Sequence, residues 1–378
     1  MIVDYCIVES PPQLITYFIS KNFLLRLISH SESNDQLLQK AAEKVCRAIR
    51  DRCRRDAYAG IPVVAAFLSP SNGVIDFDRR TKTKNIAQLL SDTARNQPHE
   101  FVDLFDRLLI SFSERNAVHS PVQQQVLTNH LVAVIRSFHR DCIEEDPCNH
   151  FVRNVLSLLA KFAYFNLESS SSDDRFEPMS ETTRLMYRSR ISSCLTHITS
   201  QCNRPADFVF AIVEDIRRHE KSCKLNTPLL CADSEIQKLM DGSFSTLLSL
   251  RREVTASSER AKVLNSLTLL LSLSVLQVYN EDLDAIGVLE ELIQVINTRK
   301  TTTDRMHSSD VMIIIEILLS LLSKPSQLFR RIACQVFCSI TDVLEPLSLQ
   351  PIYKVCLVVP SVLMTTANVE RYFQAKRI

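Results

Sequence analysis

Apolar residues recur at intervals of three and four along most of this chain, the spacing that gathers side chains on one face of an α-helix. Between Leu37 and Ile49 they fall at Leu38, Ala41, Ala42, Val45, Cys46 and Ile49, with Asn34 and Asp35 ahead as candidate caps. The stretch LLSKPSQLFRRIACQVFCSI is sharper. Pro325 ends one apolar helix and suits the first turn of the next, where Leu328, Ile332, Val336 and Ile340 form a stripe four residues apart. Two apolar helices joined by a short Ser/Pro break, the second with Arg near its start and Ala at its centre, have the layout of a HEAT-type pair.

Comparable blocks are expected at about Phe101 to Phe112, Val126 to Arg140, Phe151 to Phe165, Thr183 to Ser200, Asp207 to His219, Ser234 to Leu250, Lys262 to Tyr279 and Leu283 to Thr298. None reads as a strand ladder. Helices of this length with short polar breaks favour an all-α, HEAT/armadillo-like helical-repeat solenoid, each pair burying its face only against its neighbours. A compact bundle is the alternative, because no repeat length is strict. One interruption stands out: Asn166 to Glu181, NLESSSSDDRFEPMSE, is too polar to bury a face. The expected organisation is one continuous solenoid, with N-terminal repeats over 1–165, a mobile Ser/Asp-rich loop over 166–182 that is a possible phosphorylation site, and C-terminal repeats over 183–378.

Composition supports the helical reading, with only 4 Gly and a hydrophobic fraction of 46%. The formal net charge is +1, so no whole-molecule field draws the chain to nucleic acid or to an anionic membrane, and such binding must come from local patches. The 12 cysteines show no CxxC spacing and read as small buried residues of a reducing compartment. The start, MIVDYCIVESPP, lacks the basic region and apolar core of a signal peptide. The runs Val263 to Val278 and Val311 to Leu322 are expected to fall short of a bilayer span. A soluble intracellular protein with no membrane partner is expected.

Candidate chemistry is sparse. The carboxylate pairs Asp173/Asp174, Asp282/Asp284 and Glu290/Glu291 lie in the polar loop, at a helix start and on a helix face, where solvated charge is the ordinary reading. Cys142, Cys148 and His150 match no common zinc spacing, and Cys194, His197 and Cys202 are spaced as helix-face neighbours. No GxSxG element occurs, and the four glycines stand too far apart to cradle a phosphate. No catalytic residue, cofactor, metal or small-molecule substrate is expected.

Basic clusters are more promising as sites for DNA, ribosomal RNA or an acidic partner. Lys44, Arg47, Arg50, Arg52, Arg54 and Arg55 lie along one helix, diluted by Glu43, Asp51 and Asp56. Arg217, Lys221 and Lys224 recur at helical spacing, and Lys324, Arg330 and Arg331 surround the Pro325 helix. The densest is GVIDFDRRTKTKN, Gly73 to Asn85. There Gly73 permits a turn, Phe77 anchors it, and Thr81 or Thr83 is expected to cap the helix that IAQLL begins. Arg79, Arg80, Lys82 and Lys84 then lie outside, beside a helix N-terminus that suits an anion. The bland reading of each cluster is a solvated helix face or a capped turn.

These residues also carry a resemblance. GVIDFDRRTKTKNIAQLLS resembles the FDxxTKTK element of the Myb-binding protein 1A family, also called the DNA polymerase phi or yeast DNA polymerase V family. AAEKVCRAI, VLNSLTLLLSLSVLQVYNEDLDAIGVLEELI and DVMIIIEILLSLLSKPSQLFRRIACQVFCSI follow the family's order, so the similarity runs from about Leu37 to Ile340. The chain is similar to an internal portion, without the acidic stretch and basic C-terminal tail expected of members. The resemblance implies a HEAT-like scaffold of the nucleus and nucleolus that binds transcription factors and ribosome-assembly proteins, or DNA, in ribosomal RNA synthesis and ribosome biogenesis. A DNA polymerase, as the family name suggests, is disfavoured, since neither a YxDTDS nor an SLYPS-type element occurs. A karyopherin-like transport adaptor is the other alternative, disfavoured by the absence of Trp.

Overall fold

The computed structural model describes residues 10–71, 73–113, 120–138, 143, 146–166, 179–222, 234–256, 261–301, 307–341, 344 and 349–352. Among them every regular element is a helix. In chain order these are α1 (Pro12–Phe18), α2 (Lys21–Ser31), α3 (Gln36–Arg55), α4 (Ala57–Leu68), α5 (Phe77–Thr81), α6 (Asn85–Asn96), α7 (Pro98–Ser111) and α8 (Ser120–Arg136). They continue as α9 (Asp146–Tyr164), α10 (Glu181–Gln201), α11 (Ala206–Ser222), α12 (Ser234–Ala256), α13 (Ala261–Tyr279), α14 (Asp284–Thr301), α15 (Ser308–Ser323) and α16 (Gln327–Ile340).

The chain divides into two compact units, one of Met1–Asn203 with Ala211–Cys231, the other of Arg204–Phe210 with Ala232–Ile378. In the first, α3, α6, α8 and α10 touch one another in that order, and α1, α4, α7 and α9 do the same. Aromatic residues fill the space between: Phe101, Phe105, Phe138, Phe151, Phe162 and Tyr187 are all fully buried. Each contributes roughly 2–3 kcal/mol by leaving water. Phe162 of α9 stacks on Tyr187 of α10 with ring centroids 5.3 Å apart. The segment 167–178, which holds most of the expected polar loop, lies outside the described residues, and the helices flanking it, α9 and α10, pack directly together.

The second unit is organised around α13, which touches α12, α14 and α16. Leu264 and every residue from Ser266 to Tyr279 are buried, so this helix has no solvent face. That corrects the expectation for the Val263 run: α13 is 19 residues, long and apolar enough to cross a membrane, and 78% of its most apolar window is buried inside the protein. The burial is that of a core helix. The stripe on α16 is as expected, with Leu328, Ile332, Val336 and Ile340 all buried. Pro325 instead lies two residues before that helix, whose cap is Ser326, its hydroxyl accepting from the Phe329 N–H.

Other differences have local causes. The α8 helix begins at Ser120 rather than Val126, because Pro121 fits a first turn. On α3 only Ala42, Cys46, Ile49 and Cys53 are buried, while Leu38 stays exposed beyond the edge of the packed face. Cys334 and Cys338 are exposed on α16, unlike the buried Cys46, Cys53 and Cys194. Burial pushes each of those three thiols up to about 12, so they stay neutral.

Candidate nucleic-acid or partner interface

The GVIDFDRRTKTKN stretch folds as a built cap. A Cβ on Gly73 would stand 2.3 Å from the Phe67 carbonyl oxygen, so only glycine lets the chain turn back over the end of α4. The Val74 N–H then donates to that carbonyl at 2.8 Å. Phe77 is fully buried and meets Phe67 edge to face, centroids 5.5 Å apart. This anchors the single turn of α5, which ends at Lys82 in the left-handed conformation, φ 54°. The reversal brings Asp78 under α6.

Asp78, rather than Thr81 or Thr83, caps α6: its carboxylate accepts from the Ile86 and Ala87 N–H groups at 3.0 and 2.9 Å. Thr83 donates its hydroxyl to the same carboxylate, and Thr81 bonds the Phe77 carbonyl. The helix N-terminus expected to attract an external anion is thus already filled by an internal one. His130 of α8 closes the loop from the other side, donating Nε2–H to the Ile75 carbonyl at 3.2 Å.

The four cations of the stretch separate. Arg79 is exposed and paired with Asp76 at 2.7 Å, and Arg80 and Lys82 are exposed on the outer surface. Lys84 instead faces a groove formed by α6, α8 and α10, of about 620 Å³, lined also by Gln88, Ser91, Asn129, Arg136, Arg190 and Ser193. Among the described residues no acidic side chain lines it. The groove's edge is held by Ser91 and Ser137, whose hydroxyls are 2.7 Å apart, and by Arg95, which donates to the Ser137 carbonyl and lies over the Phe138 ring. Arg136 and Arg190 escaped sequence reasoning because they are distant from Lys84 along the chain. Their signal is faint: polar positions at helical spacing, 84–88–91, 129–133–136 and 190–193, broken only by Ala133.

The remaining candidates are dispersed. Arg217 is buried and bonded to Glu220 at 3.1 Å, Lys221 is exposed, and Lys224 lies outside the described residues. On α16, Arg330 is exposed and Arg331 half-buried, while nearby Lys324 pairs with Asp282. On α3, Arg52 pairs with Asp56, and Arg54 reaches Asp92 of α6. Of the carboxylate pairs, Asp282 is tied to Lys324, Glu290 and Glu291 are exposed, and Asp173/Asp174 lie outside the described residues, as does Cys142. Among the described residues no group of three or more His, Cys, Asp or Glu side chains is placed to hold a metal ion.

This is the architecture of a helical protein with a basic groove, and comparison gives its lineage. The family described as DNA polymerase phi matches residues 1–357, and the chain belongs to that family. It is similar to the rDNA transcriptional regulator pol5 of Schizosaccharomyces pombe, with 28% identity over 358 residues that cover 89% of this chain and 36% of the relative. It is also similar to the rDNA transcriptional regulator POL5 of Saccharomyces cerevisiae, with 24% identity over 341 residues, 88% of this chain and 30% of the relative. The chain therefore spans about a third of the length of these curated relatives. No solved structure matches it.

Proposed function

We propose that this chain is a HEAT-like helical-repeat scaffold of the nucleus and nucleolus that regulates transcription of ribosomal RNA genes by binding transcription or ribosome-assembly factors, and that it is not a polymerase. The observation that carries the reading is the similarity, over nearly nine-tenths of the chain, to two proteins named as rDNA transcriptional regulators. The two ordered rows of contacting helices in the first unit support a solenoid, since row-wise neighbour contacts are what stacked helical pairs make. The placement of the carboxylates favours the non-enzymatic reading: Asp282 is neutralised by Lys324, and Glu290 and Glu291 stand free on a helix surface.

The test is depletion of the protein in cells followed by pulse-labelling of precursor ribosomal RNA. Reduced labelling, restored by the wild-type protein and equally by one with Glu290 and Glu291 changed to Gln, is the expected result. Unchanged labelling would remove the regulatory role. Metal-dependent nucleotide incorporation by the purified chain, lost in the Glu290/Glu291 variant, would favour the polymerase reading instead.

A further inference from the structure

Lys84, at the start of α6, Arg136 of α8 and Arg190 of α10 reach one groove, and among the described residues none of the three side chains has a hydrogen bond or ion pair within the protein. Cations brought together repel one another, and the neighbouring Asp78 carboxylate is taken up by the Ile86 and Ala87 N–H groups, so a fold that gathers three with no acid among the described lining residues leaves a standing demand for an anion. The Nε of Arg190 is buried from solvent and, among the described residues, has no hydrogen-bond partner. Beneath the groove Cys194 feels both Arg136 and Arg190, yet burial keeps its thiol neutral, so it supplies no counter-charge.

We propose that this groove binds the sugar-phosphate backbone of a nucleic-acid strand. The lining matches that ligand in kind. Two guanidiniums present paired N–H donors suited to phosphate oxygens. Ser193, Gln88 and Asn129 add the hydroxyl and amides that commonly complete phosphate and sugar contacts, while the Ser91 and Ser137 hydroxyls are used within the protein. Among the described residues no aromatic side chain lines the groove, which therefore offers no platform for a base and suits a backbone contact that does not read sequence. An acidic protein segment meets the same charges, but it would be anchored by apolar pockets, and Val132 is the largest apolar side chain in the lining. The choice of nucleic acid also rests on the proposed role at ribosomal RNA genes; the demand for an anion does not.

The experiment titrates the purified chain with a fluorescent single-stranded RNA and with duplex DNA across a salt series. It compares wild type, a groove variant (Lys84→Gln, Arg136→Gln, Arg190→Gln) and an outer variant (Arg79→Gln, Arg80→Gln, Lys82→Gln). Circular dichroism confirms that each is folded, and a charge-retaining Arg136→Lys, Arg190→Lys chain covers any packing role of the arginine stems. Three backbone contacts predict that the groove variant loses about 2 from the slope of log affinity against log salt on RNA, or about 3 on duplex DNA. The outer variant should lose less, and the charge-retaining chain should keep the slope. Bound RNA should also shield Lys84, and not Lys82, from amine-acylating reagent.

Wild-type binding with the slope unchanged in the groove variant, or lowered equally in both glutamine variants, would overturn the groove while leaving the pulse-labelling result for the regulatory role untouched. Failure of wild type to bind either nucleic acid would overturn it too. Displacement of the RNA by polyglutamate of matched charge at equal concentration would reassign the groove to an acidic protein segment.

Discussion

The Asp78 carboxylate lies 2.9 Å from the backbone N–H of Ala87 and accepts its hydrogen bond, so a residue in one short helix caps the next. An ordinary cap is the residue adjoining its own helix; here nine positions of chain separate the two partners. The cap and the turn therefore stand or fall together. Asp78→Ala should lower unfolding free energy by about 1–2 kcal/mol, and Asp78→Asn by less, because the amide oxygen still accepts. Urea unfolding followed by circular dichroism measures both; an Asp78→Ala chain as stable as wild type would show that the cap contributes nothing.

Gly73 is fixed by crowding, not by an unusual backbone angle, for the atoms that a Cβ would meet are the Phe67 carbonyl oxygen and the Ser69 backbone. Neither can move without breaking the bonds to Val74 and Gly73. Gly73→Ala should destabilise by about 1–3 kcal/mol, read as an earlier urea midpoint. An unchanged midpoint would mean that the loop relaxes freely.

Lys82 is the converse case. Its φ of 54° strains any residue with a side chain, and the Lys82 side chain itself is exposed. Lys82→Gly should raise stability by about 0.5–1 kcal/mol despite the added freedom of the unfolded chain. A loss of stability would reveal a contact made by the lysine stem.

Burial holds the His130 imidazole below its ordinary pKa, outweighing the Ile75 carbonyl bond and the Asp78 charge that pull it up. Sign follows directly: the unfolded chain takes up this proton first as pH falls, so stability present above about 6.5 declines below it, down to the depressed folded value. Midpoints measured from pH 7.5 to 5 should fall for wild type and fall less steeply for His130→Gln. Parallel curves would place the titrating group elsewhere.

Within α13, the Ser272 hydroxyl is buried and, among the described residues, has no hydrogen-bond partner. Ser272→Ala removes that unmet group while leaving packing nearly intact, and should stabilise by about 1 kcal/mol. Thermal unfolding would register this as an upward shift, and a downward one would uncover a partner for the hydroxyl.

Helix positions were legible wherever the apolar period ran unbroken: the α10, α13 and α16 ranges match those expected to within a few residues. The α4 helix was not among the expected blocks, and it holds Gly60 and Pro62, residues that ordinarily break a helix. In the fold, Gly60 gives Thr93 of α6 room at a close helix crossing. The density of charge in DRRTKTK was equally plain, but its division was not. The Arg79–Asp76 pair has an ordinary i,i+3 spacing, but the meeting of Lys84 with arginines from two other helices is only faintly marked in the sequence, because helix faces meet only once the rows are stacked. The threonines looked like caps by local rule, and the role passed to Asp78 because α5 reverses the chain.

The all-round burial of α13 also orders events at the ribosome. Of the helices that pack on it, α12 precedes it in the chain, whereas α14 and α16 are made afterwards. At about 5–20 residues per second, the nascent chain carries this apolar rod half-covered for some seconds. Stalled chains ending before α16 should recruit holdase chaperones more strongly than completed ones. A change that slows synthesis beyond α13 should therefore lengthen that exposure while leaving the finished fold the same.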